Sequence, residues 1–151
     1  MALVLDTSYN NVFYENVLKK LRSIITTDRA CTVYISPFYQ DHGSYSIRLW
    51  GSSAETDVLH ANEWRKLYNT ELAIYTMGED NDERFYEQLY SDAERLYQLL
   101  YNNKESGTAT FSWYDGVVGD MTFDEFAGDE DAVDGLHVAR LSFSCRLSRV
   151  D

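Results

Sequence analysis

The side chains of this sequence that could do chemistry are three histidines, two cysteines and several clusters of acids. A nucleophilic triad needs a serine or cysteine, a histidine and an orienting acid within mutual reach. His42 falls in an expected turn, His60 in an expected loop and His137 at the entrance to a strand. No serine stands in a G-x-S-x-G elbow, and neither cysteine opens a helix, where its pKa would drop. The histidines are therefore read as surface or strand-edge residues, and no catalytic residue is assigned. Cys31 and Cys145 match no metal spacing and sit in apolar, strand-like runs, which reads as two reduced core thiols.

The acids raise a metal hypothesis. Asp80-Asn81-Asp82 resembles the start of a calcium loop but lacks its glycine and distal glutamate, so helix capping explains it better. Asp129-Glu130-Asp131 with Asp134 could hold a hard cation through oxygens alone. A solvated loop or a charged contact surface is the preferred reading, because charge runs are usually solvated. Gly116-Val117-Val118-Gly119 lacks the following helix that would cradle a phosphate. No metal and no cofactor are expected. The 12 tyrosines are more than a small core encloses with every hydroxyl satisfied. Some should line a helix–sheet boundary, and the rest offer contact surface at low entropic cost.

The elements that must position these residues are legible from periodicity. An apolar stripe at Phe13, Val17, Leu21 and Ile24, widened by Tyr14, Leu18 and Ile25, predicts a helix behind Asn10-Asn11 as caps. Alternation over Ala30–Ser36 predicts a strand stopped by Pro37, and Tyr45–Trp50 a second strand pairing with it as a hairpin. Gly51–Ala61 reads as a polar loop, and about Trp64 to Thr76 as a longer strand. Phe85, Leu89, Ala93, Leu96 and Leu100 step by helical intervals behind the acidic run Glu79–Glu83, the clearest helix in the chain. Ala109–Tyr114 and Val117–Phe123 flank Asp115-Gly116 as an expected hairpin, followed by an acidic loop over Asp124–Gly135. Ala139, Leu141, Phe143, Cys145 and Leu147 share one face of a closing strand, with Val138, Arg140, Ser142, Ser144 and Arg146 on the other. The order α-β-β-β-α-β-β-β predicts an α+β fold, two main helices packed on a largely antiparallel sheet.

Composition bounds the rest. The chain has 151 residues, 44% hydrophobic and 15% aromatic, with one proline, which excludes a disordered or low-complexity chain. With about 150 residues per domain as a prior, 1–151 is read as a single domain. Thirteen basic residues against 25 acidic ones give a net charge of −12. Such a surface repels phosphate and suits neither a nucleic-acid groove nor an anionic membrane face. No stretch is apolar enough to span a bilayer, and Met1–Asp6 lacks the basic start of a secretory signal, so a reducing cytoplasm is expected.

The element order resembles the tail terminator proteins of long-tailed bacteriophages. Three runs carry the likeness: the helix Tyr14–Leu21, the strand and capped helix Leu72–Gly78 into Asp82–Tyr86, and the closing strand His137–Leu147. Members of that family are small α+β subunits, and the resemblance implies a hexameric ring that caps the tail tube, stops its elongation and docks the neck or head–tail connector. It implies a homo-oligomer, a tail tube protein and a neck protein as partners, a place in the virion, and DNA passing through the lumen without specific binding. An acidic lumen would serve that passage, since repelled phosphates slide. Ring subunits meet through heterologous patches. Arg140 and Arg146 are assigned to the subunit interface, where they could pair with the acidic loop Asp129, Glu130 and Asp131 of a neighbour. Pairing within their own chain or with water is the competing and more common arrangement. Another head–tail joining protein, such as a stopper or head-completion subunit, fits the same size and charge. An acidic DNA mimic fits less well, because the acids concentrate near residues 79–94 and 115–134 and do not spread along a face.

Overall fold

A computed structural model of the chain describes residues 7–36, 45–56, 66–77, 83–125 and 136–150. After a 3-10 turn at Thr7–Tyr9, a π-helical turn over Tyr14–Leu18 leads into α1 (Lys19–Asp28). The wider turn changes which side chains point inward: Val12, Asn16, Val17, Leu18, Leu21 and Ile25 are buried, while Phe13 and Ile24 are half-buried and Tyr14 is exposed. Asn16 is used there as a polar anchor. Its side-chain oxygen accepts from the Thr108 hydroxyl at 2.5 Å, and its carbonyl accepts from the Trp113 indole N–H at 2.8 Å. An inserted residue in a helix often re-aims a side chain in this way.

The strands are β1 (Val33–Ile35), β2 (Tyr45–Thr56), β3 (Lys66–Met77), β4 (Phe111–Val118), β5 (Thr122–Glu125) and β6 (Leu136–Arg149), with α2 (Glu83–Asn102) between β3 and β4. They form one mixed sheet in the order β1-β2-β3-β6-β4, with β5 also on β6. The fold is α+β, and α1 and α2 pack on one face of the sheet. The core between them holds Leu21, Ile25, Leu89, Ala93, Leu96 and Leu100 from the helices. Ile47, Leu49, Leu72, Ile74, Leu141 and Phe143 come up from the strands. These are the positions that strand alternation and helical stepping assign inward. Burying one such leucine stabilises by about 1.5–3 kcal/mol, so this layer holds the elements in place. The opposite face carries a smaller cluster of Ala73, Tyr75 and Val138, flanked by Trp50 and Met77.

Three expectations are corrected. β1 and β2 do not form a hairpin: they pair in parallel, Val33 with Ile47 and Ile35 with Leu49. Alternation assigns side chains to faces but is silent about strand direction. Gly51–Thr56 is not loop but the far half of β2, paired with Lys66–Thr70. Its polar composition reflects exposure on both faces, since all six residues are exposed. Asp115-Gly116 is not a turn either. β4 passes straight through it as a bulge between Tyr114 and Val117, and β4 and β5 both run antiparallel to β6. Asp115 has φ +52, the left-handed conformation that an Asp-Gly turn and a bulge share. Gly116 is required at the next position, because a Cβ there would stand 2.4 Å from the Lys104 carbonyl oxygen.

Candidate functional site

The two arginines expected at an interface lie on the sheet face opposite the helices. β6 alternates, so Arg140 and Arg146 point away from the buried Ala139, Leu141 and Cys145. The structure brings each to a carboxylate of its own chain. Arg140 Nε stands 3.5 Å from Asp124 of β5, and Arg146 Nη1 stands 3.7 Å from Asp115 in the β4 bulge. Asp129, Glu130, Asp131 and Asp134 lie outside the described residues, as do His42, His60 and Asp80-Asn81-Asp82. His137, expected at a surface or strand edge, is instead buried, its ring 4.8 Å from Phe85 and 5.5 Å from Tyr86. Both cysteines are free thiols. Cys145 is fully buried, which pushes its pKa up to about 12, whereas Cys31 is only partly buried. Its thiol is also raised, chiefly by burial. Neither is a ready nucleophile. Among the described residues no group of His, Cys, Asp and Glu converges as a metal site.

A polar network that local sequence does not announce ties three elements together. Arg29, just past α1, donates to the Tyr45 hydroxyl at 2.9 Å and to the Asp92 carboxylate. Tyr45, opening β2, donates its hydroxyl proton to the same carboxylate of α2. Desolvation and then the hydrogen bond to Asp92 hold the Tyr45 phenol well above its ordinary pKa, so it stays a donor. Burial opposes the Arg29 charge, and Asp92 and Tyr45 more than restore it. Beside this network Arg95 grips Asp28 through two bonds of 3.0 and 3.1 Å. That hydrogen-bonded pair holds the Asp28 carboxyl below its ordinary value. The network floors a cleft of about 590 Å³, with Cys31, Met77 and Phe85 among its apolar walls. Arg29, Tyr45 and Asp92 were missed because each is polar in isolation. The one local signal is Asp92 itself, a carboxylate adjoining the inward Ala93.

A second buried cation sits on the opposite face. Arg48 is 1% exposed and lies between the rings of Tyr34, at 4.7 Å, and Tyr75, at 5.6 Å. Tyrosines thus serve the interior in this pairing, but not everywhere. Tyr14, Tyr90 and Tyr101 are exposed. Tyr90 packs edge-on against Phe123 of β5 at 4.9 Å, and both rings remain more than 40% exposed. That pair places an apolar patch beside one edge of the sheet.

No family model matches the chain, and no curated protein matches it in sequence.

Proposed function

We propose that this chain is a structural virion subunit of the tail-terminator kind. In this reading copies of it close a ring on the end of a tail tube, stop its growth and present a docking surface to the neck or head–tail connector. The observation that carries it is the exposure of opposite ends of one sheet. Gly51–Thr56 lies open on one side, and the Tyr90–Phe123 pair lies open beside β5 on the other. Two unlike patches at opposite sides of a subunit suit head-to-tail contact, which closes into a ring when the rotation allows. The net charge of −12 supports a channel from which DNA phosphates are repelled. Arg140 and Arg146, with Asp129, Glu130 and Asp131, remain the charged residues proposed for the subunit interface.

The test is electron microscopy of tail tubes assembled from tube protein, with and without this chain. A cap at one end of each tube, and arrest of further growth, is expected. Tubes that bear no cap and elongate unchanged would refute the reading.

A further inference from the structure

The sheet treats its edges unequally. Along β4 the outer edge is guarded: Trp113 N–H meets the Ser106 carbonyl, Thr108 N–H meets the Phe111 carbonyl, and the Lys104 backbone lies against Gly116. The bulge at Asp115 twists that edge further, a usual defence against pairing with another chain. Among the described residues, two other stretches lack this cover. β1 reaches only Leu49 of β2, so among the described residues Gly51–Thr56 pairs with β3 alone. That stretch holds one charge, Glu55, and no proline or lysine. β5 pairs with β6 alone among the described residues, and Thr122, Phe123 and Asp124 are exposed.

We infer that the far half of β2 in one copy adds to the β5 edge of a second copy, extending the sheet from subunit to subunit. The inference rests on the ring reading for its partner and deepens it by naming the contact. Each open edge offers backbone N–H and C=O groups that another strand can satisfy. The faces also agree. Ala54 lies opposite Tyr68, on the helix side of the sheet, and Phe123 lies opposite Ala139 on that same side. Pairing with the helices on one side therefore sets the small Ala54 against the exposed Phe123 and Tyr90 rings, covering the apolar patch. The two edges sit diagonally: Ala54 leads through Tyr68 to Cys145 on β6, whereas Phe123 sits at Ala139, six positions away. At about 3.4 Å per residue that offset is about 20 Å along the strand direction. Such a stagger is what tilts strands when a sheet closes on itself.

Disulfide trapping tests this, in a Cys31→Ser background at high protein concentration. With Ala54 facing Phe123, Ser53 and Glu55 fall on the other face, as do Thr122 and Asp124. Keeping the helices on one side makes the addition antiparallel, because β2 runs parallel to β6 through β3 and β5 runs antiparallel to β6. A Glu55→Cys, Thr122→Cys protein traps it, and a Ser53→Cys, Thr122→Cys protein, matched only to parallel addition, is the control. The Glu55→Cys, Thr122→Cys protein is expected to give a ladder of covalent oligomers on oxidation and the control at least tenfold less, while each single cysteine stops at dimers. Phe123→Asp added to the pair that ladders is expected to reduce the ladder at least tenfold. If the Glu55→Cys, Thr122→Cys protein gives no ladder, free or on tail tubes, the edge contact is wrong. Native mass and imaging of the unaltered chain, alone and with tail tubes, then separate the two ideas, since rings without ladders leave the ring reading standing and the absence of rings under both conditions removes both.

Discussion

At the scale of single residues, the network around Arg29 decides how the helices meet the sheet. Arg29 and Asp92 are mostly buried, with side chains 12% and 22% exposed. Removing one member of such a pair leaves the other charge in a poor solvent, which is the costly way to break it. Asp92→Ala is expected to destabilise the fold by about 2 kcal/mol, less than for a fully buried pair because water still reaches the site. Tyr45→Phe removes one hydrogen bond and keeps the charges paired, so about 1 kcal/mol is expected. Urea unfolding of both variants checks the ranking. A smaller loss for Asp92→Ala than for Tyr45→Phe would contradict it. Asp28 makes a second prediction. Its folded pKa is lowered, first through the hydrogen bonds from Arg95. A lowered carboxyl stabilises above its unfolded value and loses that stabilisation as pH falls through the folded one. The stability gap between the unaltered chain and Arg95→Ala is therefore expected to be widest above pH 3.8, the ordinary value of the carboxyl, and to close on further acidification. A gap that persists or widens in acid would show that Arg95 acts through something other than the ionised Asp28.

At the scale of elements, what was legible and what was not have distinct physical causes. α2 was readable because Leu89, Ala93, Leu96 and Leu100 repeat at the helical period, and all four are buried. β6 was readable because Ala139 to Leu147 alternate without interruption, and those odd positions are all in the core. The pairing of β1 with β2 was not, since alternation carries no strand direction. Asp115-Gly116 misled because its residues favour positive φ, and only the partner strand decides whether that bends the chain into a turn or a bulge. The Arg29 network was beyond reach for a third reason: its members are 16, 47 and 63 residues apart and meet only through topology. Arg140 and Arg146 were correctly assigned to the polar face of one strand, where Asp124 and Asp115 now stand beside them. Reversing both, as Arg140→Glu with Arg146→Glu, sets like charges together at partly exposed sites. The cost to folding is expected to stay within about 1 kcal/mol. Ring yield, read by native mass, is expected to fall at least tenfold if this face joins subunits. Normal ring yield from a folded double variant would remove both arginines from the interface.

At the scale of the whole molecule, one sheet is covered on its helix side by a continuous core, and among the described residues the far half of β2 and the outer side of β5 pair with no further strand. In the ring reading the core holds each copy together and those edges join it to the next. A net charge of −12 keeps copies apart until directional contacts outweigh repulsion, so association is expected to strengthen with salt. A partner surface can also drive assembly by mass action, which allows a ring to form on a tube end at concentrations where the free chain stays monomeric. The most direct measurement is native mass of the purified chain at high concentration, with negative-stain imaging, in the presence and absence of tail tubes. The account predicts a closed ring of about six copies, free or seated on one tube end. A chain that stays monomeric at every concentration and leaves the tubes uncapped would contradict it.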